Sequence, residues 1–200
     1  MLKLQVPVAK TYLANHYASD HTQLLRDGSH AVALGRTLEA ARMGALKKEE
    51  TVTIEVSSPA FEDGATIPKR YTGEGEDVSP PLKWGSLPHG TKEIALICED
   101  PDAPTRKPFV HWVAYKFPAD RKGLLEGSAE GALEGINDFG EVGYDGCMPP
   151  RGHGVHHYHF KLYALDTELD APAGLSKDEL LAAIEGHVLG EGELVGTYER

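Results

Sequence analysis

The chain has 200 residues, 40 % of them hydrophobic, so it is long enough to bury one substantial core. Its 31 acidic and 20 basic side chains give a formal net charge of −11, which argues against broad electrostatic attraction to nucleic acid or anionic membranes. The two cysteines, Cys98 and Cys147, form no CxxC motif and indicate neither a disulfide framework nor a cysteine zinc site. We find no signal peptide and no run of the ~20 apolar residues that span a bilayer, and we expect a soluble cytoplasmic protein.

The first quarter of the chain differs in charge from the rest. Residues 1–50 carry a net charge of +2, whereas residues 51–200 carry −13. Ser29 is a suitable N-cap for a helix that runs to about Lys48, where apolar residues recur at three- and four-residue spacing. A shorter helix is predicted within residues 8–25. We therefore predict a helical N-terminal extension over residues 1–50, separate from a β domain over residues 51–200.

From Thr51 onward, short alternating or apolar runs are separated by turn sequences rich in glycine and proline, a pattern typical of a mainly β protein. TVTIEVSS, beginning at Thr51, alternates apolar and polar residues as a strand does. EIALIC, residues 93–98, is apolar throughout, which predicts a strand covered on both faces. HWVAYKF, residues 111–117, and HHYHFKLYAL, residues 156–165, are two further strands.

One helix and one strand are predicted at the C-terminal end. Ser176 and Glu179 have the spacing of a capping box, which marks the start of a helix. Its apolar stripe runs from Leu180 to Val188, and Gly190 is expected to end it. ELVGTYER then forms the last strand.

The cluster of histidines in GVHHYHF raises the question of a metal site. Successive side chains of a strand point to opposite faces, so His156 and Tyr158 share the face that continues into apolar residues and therefore points inward. His157 and His159 point outward to solvent. Metal binding needs three or four converging ligands, and neighbouring strand residues diverge. We therefore expect no metal at this site and no other cofactor.

Other polar residues lie at the ends of neighbouring strands. Asp100 and Asp102 follow a buried strand, where a carboxylate needs a hydrogen-bond partner or water. His111 begins the next strand and is expected to share a face with Val113 and Tyr115. Each feature has a purely structural explanation, such as a tight Asp-Pro turn, but together they are consistent with polar groups meeting at one cavity.

These segments, in this order, resemble the phosphatidylethanolamine-binding protein family, which includes the Raf kinase inhibitor proteins and the plant flowering regulators. The resemblance rests on DVSPPLKW (77–84), DPDAP (100–104), HWV (111–113), YDGCMPPRGHGVHHYHFKLYALD (144–166) and the terminal helix. It covers about residues 51–200, and the short linker between DPDAP and HWV is similar to that of the bacterial and archaeal branch.

The resemblance implies a large antiparallel sheet packed on a smaller sheet, with helical structure near the C-terminus. It also implies a cavity that binds anions such as phosphate, acetate or a phospholipid head group. Carried over by motif, the ligand-binding residues are Asp100, Pro104, His111, Met148, Pro149, Pro150, His156 and Tyr158. Relatives commonly have Pro-Cys where this chain has Cys147-Met148, which implies a bulkier and less rigid rim, and bacterial relatives usually begin near SSPAF.

The leading hypothesis is a small binding protein in which Tyr158 donates a hydrogen bond to the anion, and His111 and His156 donate when protonated. Asp100 would repel an anion unless it holds a histidine tautomer, takes up a proton or meets an ammonium group. No catalytic residue is assigned.

Two alternatives stay open. The first is a hydrolase in which Asp100 orients a histidine as general base, although no GxSxG motif or activated cysteine supplies a nucleophile. The second is a kinase or protease inhibitor that acts through the pocket rim. We predict no nucleic-acid partner and no integral membrane segment, and the sequence leaves open a protein partner and a homodimer.

Overall fold

The structure is a computed structural model that describes residues 51–200. The helices predicted at about residues 29–48 and within residues 8–25 lie outside the described residues.

Most of the described chain forms two β-sheets. The larger has six strands in the order β1-β9-β8-β4-β5-β7 and the smaller has three in the order β2-β3-β6. Apart from a short 3-10 helix over Lys69–Tyr71, the segments before the C-terminal helix are strands and loops. The strands are β1 (Val52–Thr53), β2 (Val56–Ser57), β3 (Leu82–Trp84), β4 (Glu93–Asp100), β5 (Phe109–Pro118), β6 (Gly123–Leu124), β7 (Leu133–Glu134), β8 (His156–Leu165) and β9 (Val188–Tyr198).

The larger sheet is mixed, which differs in one detail from the expected antiparallel sheet. β1 runs parallel to β9, whereas the other neighbours in this sheet are antiparallel. Glycines of β9 permit the close approach of the first segment. A Cβ at Gly190 would lie 2.9 Å from the Val52 carbonyl oxygen, and one at Gly192 would lie 2.3 Å from that of Ile54. Any larger residue at these positions would push the first segment away from β9.

The hydrophobic core lies on both faces of the larger sheet. Ile94, Leu96 and Cys98 of β4 point toward the smaller sheet, where they meet apolar side chains of β2, β3 and β6. Ala95 and Ile97 point to the opposite face. All eight residues of β4 are buried, which confirms the prediction of a strand covered on both faces.

The C-terminal helix α1 (Lys177–Ile184) covers that opposite face through Leu180 and Ile184. Its capping box is present as predicted. The backbone amide of Glu179 donates to the Ser176 hydroxyl oxygen, and the Glu179 carboxylate accepts from the Ser176 amide at 2.8 Å. These bonds satisfy amide groups that the first turn leaves free, and they fix where the helix starts.

The predicted end of this helix is wrong. The apolar stripe extends in sequence to Val188, but the helix ends at Ile184 and Val188 is the first residue of β9. Gly186 has a φ of 81°, a left-handed conformation that stops a helix at low cost. Backbone pairing of Val188 with Leu165 of β8 then replaces further helical hydrogen bonds.

A β-bulge near the start of β5 changes the facing of its side chains. Cys98 of β4 pairs with Trp112, but the next residue, Glu99, pairs with Val110. One extra residue, His111, therefore lies in β5 opposite no residue of its own in β4. A bulge of this kind shifts the alternation of side chains by one position.

The bulge overturns the predicted facing of His111. Val113 and Tyr115 pack under helix α1, whereas the His111 ring lies 5.2 Å from the ring of Tyr158, whose side chain belongs to the other face of the sheet. Strict alternation would have placed His111 under the helix, with Val113 and Tyr115. The extra residue instead directs it to the same side as Tyr158.

Candidate functional site

The last residues of β4 and the first residues of β5 and β8 meet at one end of the larger sheet. β4 is antiparallel to both β5 and β8, so its last residues lie beside the first residues of those strands. Asp100, the last residue of β4, pairs with Phe109 at the start of β5, and the residue before it pairs with His159 of β8. This topology brings Asp100 close to His111 and His156, which are far apart in sequence.

A cavity of about 240 Å³ opens at this end of the sheet. Its wall contains all eight residues that the sequence analysis assigned to ligand binding, which are Asp100, Pro104, His111, Met148, Pro149, Pro150, His156 and Tyr158. The structure therefore brings the predicted set together. That these residues bind a ligand stays a prediction.

The sequence analysis missed four further wall residues, which are Ala103, Thr105, Phe109 and Phe139. Ala103 lies within the DPDAP motif and Thr105 directly follows it, so their position next to Pro104 could have identified them. Phe109 stands two positions before His111, and alternation could have identified it. Phe139 lies in a loop without strand or helix periodicity, and no local pattern indicated it.

The loop that carries Phe139 is shaped by the buried side chain of Asn137. Its amide nitrogen donates to the Gly143 carbonyl oxygen at 3.1 Å, and its amide oxygen accepts from the backbone amides of Phe139 and Glu141 at 3.0 and 3.2 Å. Each half of the amide thus bonds across the loop. This network holds the Phe139 ring against His111, with 5.5 Å between the ring centroids.

Asp100 is buried and holds His156 in one tautomer. Its Oδ2 lies 2.7 Å from Nδ1 of His156, and its Oδ1 accepts from the Asp102 backbone amide at 2.8 Å. Because a carboxylate accepts, Nδ1 of His156 carries the proton. Of the three roles considered for Asp100, the structure supports the first, that of fixing a histidine tautomer.

The second nitrogen of His156 is also occupied. Nε2 lies 2.8 Å from Nδ1 of His153, and the two rings are 5.0 Å apart. His156 is 1 % exposed, whereas His153 lies at the surface. The expectation that His156 donates directly to a ligand therefore meets an obstacle, because His153 already occupies the atom that would donate.

One ring nitrogen of His111 is hydrogen-bonded to the protein backbone. Nδ1 donates to the Asp145 backbone carbonyl at 2.8 Å, so Nε2 is an acceptor in the neutral ring and a donor in the charged ring. Burial lowers the pKa of His111 below its ordinary value of 6.5, although the hydrogen bond to Asp145 and the charge of Asp100 act in the opposite direction. His111 is therefore neutral at neutral pH.

Tyr158 places a hydroxyl group without a partner in the cavity wall. The residue is 1 % exposed, and its hydroxyl is the buried side-chain group of residues 51–200 that donates to no acceptor, although the Met148 backbone amide is close enough to act on its pKa. Burial raises the pKa of Tyr158 well above its ordinary value, and the nearby Cys147 and Asp100 add to this effect. The group is therefore a neutral O–H that can donate.

The two cysteines are buried in the core beside the cavity. Burial raises the pKa of Cys98 and of Cys147 well above the ordinary thiol value. Because the thiolate is the nucleophilic form, neither side chain is activated for covalent chemistry.

The outward histidines behave as the strand alternation predicts. Nδ1 of His157 lies 2.7 Å from Asp102, and Nδ1 of His159 lies 2.9 Å from Glu193, both on the outer face of β8. The hydrogen bond from His157 lowers the pKa of the Asp102 carboxyl. Within residues 51–200, no group of three or more His, Cys, Asp or Glu side chains converges as metal ligands do.

Three residues after the buried Cys147 form the rim opposite Asp100. Met148 lies over Gly73, where a Cβ would be 3.1 Å from the methionine sulfur, and Pro149 and Pro150 continue the wall. Two successive prolines restrict the backbone, so this side of the cavity is stiff apart from the methionine side chain.

The family model of the phosphatidylethanolamine-binding proteins matches residues 57–199, which is more than half of the chain. The chain belongs to this family. The resemblance read from DPDAP and PPRGHGVHHY is therefore confirmed.

Relatives within the phosphatidylethanolamine-binding protein family come from archaea and bacteria. A UPF0098 protein of Methanothermobacter thermautotrophicus is 48 % identical over 153 residues, which cover 74 % of this chain and 99 % of the relative. A UPF0098 protein of Aquifex aeolicus is 44 % identical over 153 residues, covering 74 % of this chain and 89 % of the relative. These matches agree with the predicted bacterial and archaeal branch.

Two solved structures of the phosphatidylethanolamine-binding protein family share this fold. YbcL of E. coli, described as a member of the mammalian family, has a TM-score of 0.69 at 31 % identity and covers 74 % of this chain and 99 % of its own. A homologue from Chlamydia trachomatis has a TM-score of 0.70 at 38 % identity and covers 75 % and 99 %. Among residues 51–200 we find no helix of the length and apolarity that a membrane crossing requires.

Proposed function

We propose that this protein binds a small anionic ligand in the cavity between Asp100 and the proline rim. Phosphate, acetate and a phospholipid head group are the ligand classes that the family resemblance suggests, and the family name points to the phosphate of a phospholipid. Binding of this kind needs no cofactor. A regulatory role through a protein partner is compatible with it.

The unpartnered hydroxyl of Tyr158 is the observation that carries this proposal. A buried hydroxyl without a hydrogen bond costs about 1–3 kcal/mol, so native proteins seldom keep one without a reason. A ligand oxygen that accepts from Tyr158 would remove that cost. An anionic oxygen suits the group best, because hydrogen bonds to charged acceptors are the stronger ones.

The charge of Asp100 is the main obstacle to an anion. Two donors, the imidazole N–H of His156 and the backbone amide of Asp102, already face this carboxylate and reduce its repulsion. His111 can supply the compensating positive charge. An anion close to Nε2 favours the imidazolium, and so raises the His111 pKa that burial alone lowers.

Isothermal titration of the purified full chain with phosphate, acetate and phosphoethanolamine tests the proposal. We expect Tyr158→Phe to weaken binding of the accepted anion by about ten- to a hundredfold, which corresponds to one hydrogen bond to a charged group. The same change should raise the free energy of unfolding by about 1 kcal/mol, because it removes the unpaired hydroxyl.

His159→Ala is the matched control, since this side chain faces away from the cavity and pairs with Glu193. It should leave anion binding unchanged. Equal affinities for the wild type and Tyr158→Phe would contradict the proposal, as would the absence of any anion binding. Native mass spectrometry of protein from its source would identify a ligand that copurifies and report the subunit count.

A hydrolase is the second candidate, and the buried Asp100–His156 pair favours it. A carboxylate that orients an imidazole is one half of a general-base arrangement. Three observations count against it. Nε2 of His156 is occupied by His153, both cysteine thiols are protonated, and the Thr105 hydroxyl donates to the Lys107 carbonyl at 2.6 Å. Turnover of ester or phosphoester substrates, lost in His156→Ala, would favour the hydrolase.

An inhibitor of a kinase or protease is the third candidate. Its support is the exposed apolar rim, where Phe139 is 48 % and Met148 42 % exposed while both line the cavity. Apolar side chains at the surface are typical of protein contacts. Phe139→Ser should abolish inhibition of such an enzyme and weaken the binding of free phosphate by less, since Phe139 lines the cavity but offers the phosphate no hydrogen bond.

A further inference from the structure

The hydrogen-bonding capacity of His156 is used up inside the protein. An imidazole has two ring nitrogens, and here Nδ1 is bonded to Asp100 at 2.7 Å and Nε2 to His153 at 2.8 Å. A ligand can therefore reach a ring nitrogen of His156 only if one of these partners leaves. Asp100 is held by the sheet and by the Asp102 amide, so His153 is the partner that can be exchanged.

His153 is an exposed loop residue between two glycines, and the loop backbone is tied beside it by the Gly152 amide, which donates to the Arg200 carbonyl oxygen at 3.0 Å. Gly152 and Gly154 flank His153 with φ angles of 72° and 89°, and a Cβ at either position would meet no atom within 4 Å. Its backbone amide makes one turn bond to the Pro150 carbonyl oxygen at 3.1 Å. The side chain is exposed except for its contact with His156, so rotation away from the cavity costs little packing.

We propose that His153 is a latch on the binding site. In the structure His153 is bonded to Nε2 of His156, and we infer that its side chain rotates away when an anionic oxygen takes that position. This inference rests on the proposed anion-binding function, and it adds a residue that controls the affinity of the site without lining its wall. Anion binding is thus an exchange of partners at His156 rather than the filling of a free donor.

The exchange has a definite proton balance. Asp100 keeps the proton on Nδ1, so Nε2 can donate to an anion only after His156 gains a second proton. In the latched state Nε2 and Nδ1 of His153 share one hydrogen, which His153 keeps when it leaves. The exchange at His156 therefore takes up one proton from solvent for each anion, in addition to any proton that His111 gains. The titratable groups near this imidazole are Asp100 at the end of β4, Asp102 in the turn that follows, His153 from the loop, and His111 and Tyr158 from the cavity wall.

The first test compares the affinity of wild type and His153→Ala for inorganic phosphate by isothermal titration. Removal of the latch eliminates the internal competitor, so we expect the variant to bind about two- to tenfold more tightly, the range that one exchanged hydrogen bond allows. His159→Ala serves as control and should match the wild type. Unchanged or weaker binding in His153→Ala, with wild type binding intact, would overturn the latch and leave the anion-binding proposal standing.

The second test uses the unaltered protein and so does not depend on a variant that folds. The side-chain nitrogens of His153, followed by NMR during addition of phosphate, should shift toward those of a free imidazole as the site fills, whereas those of His159 should stay constant. Ring signals of His153 that do not respond while phosphate binds would contradict the latch. If neither the wild type nor His153→Ala binds phosphate, acetate or phosphoethanolamine, both proposals fall.

Discussion

Two neighbouring residues of β4, Glu99 and Asp100, have buried carboxylates that bond to different kinds of partner. Both carboxylates are nearly inaccessible, with 5 % and 3 % of the residue exposed. Glu99 points away from the cavity and meets two lysines, Lys161 at 2.7 Å and Lys177. Asp100 points into the cavity and meets His156. One carboxylate is paired with permanent charges, the other with a side chain whose charge can change.

The difference distinguishes a carboxylate that joins elements of the fold from one that lines the cavity. Burial alone would raise the pKa of Glu99, but the hydrogen bonds from Lys161 and Lys177 outweigh it and lower the pKa below its ordinary value of 4.5. The group therefore stays ionised at physiological pH and holds two elements together. Asp100 is instead bonded to the imidazole of His156 at the wall of a cavity, and it meets no lysine or arginine among the described residues. Adjacent buried acids thus differ in role because their partners differ.

The largest effect is expected from removing the structural carboxylate. Glu99→Ala leaves two lysines without their partner, of which Lys177 is the more buried, and should lower the free energy of unfolding by about 2–4 kcal/mol. Urea unfolding of both proteins measures this change. The affinity of the variant for phosphate, measured under conditions where almost all of the protein is folded, should stay within about twofold of the wild-type affinity. A variant that keeps full stability but loses binding would reverse the assigned roles.

A smaller effect, on phosphate binding and not on stability, is expected from a change in the cavity wall. His156→Ala should weaken phosphate binding by about ten- to a hundredfold, because it removes the charged donor that replaces the latch. His159→Ala, on the outer face of the same strand, should be silent. His157 is a poorer control, because it bonds Asp102, whose backbone amide supports Asp100. Intact binding in His156→Ala together with lost binding in His159→Ala would show that the wrong face of β8 was assigned.

The two sites should also respond to acid in different pH windows. The pKa of His111 is lowered in the folded state, so the unfolded chain binds the proton first and stability is lost as the pH falls below about 6.5. The pKa of Glu99 is lowered as well, so its contribution is lost at lower pH, below about 4.5. The melting temperature should therefore fall in two pH ranges, and in the lower range the other carboxylates with lowered pKa, such as Asp102 and Glu179, contribute together with Glu99. Acetate should diminish the fall in the upper range alone, since a bound anion favours protonated His111.

The smallest effect is expected from deleting residues 1–50. The contacts described above at Glu99 and Asp100 are made between side chains of residues 51–200, the part of the chain that the structure describes. We predict that the truncated chain folds, keeps its melting temperature and binds phosphate with unchanged affinity. A truncated protein that cannot fold would show that the segment completes the core. A changed subunit count in native mass spectrometry would assign it to assembly.

The sequence predicted the composition of the cavity wall better than its geometry. Alternation along β8 identified His156 and Tyr158 correctly as inward-facing, because the strand pairs with β9 without a bulge over these residues. The same rule failed for His111, since one extra residue in β5 depends on pairing with β4 that no local pattern reveals. The contact of His153 with His156 was equally hidden, because it depends on the path of a glycine-rich loop.

The helix end shows the same limit in a second place. A stripe of apolar residues through Val188 fits both a longer helix and the first buried positions of β9, and only pairing with β8 decides between them. Phe139 was missed because the hydrogen bonds of Asn137, not periodicity, determine where that ring lies. Local patterns therefore identified residues within regular elements, whereas tertiary pairing determined bulges, loop positions and ends.

The edges of the larger sheet limit the ways in which copies of this domain can associate. Its outermost strands, β1 and β7, are two residues long each, and the long strand β9 is further covered by backbone hydrogen bonds from Gly64 and Ile67. Few unpaired backbone groups are left along these edges to receive a strand from another chain. Growth into extended, fibre-like aggregates through sheet addition is thereby disfavoured, and the concentrated folded protein is expected to resist it.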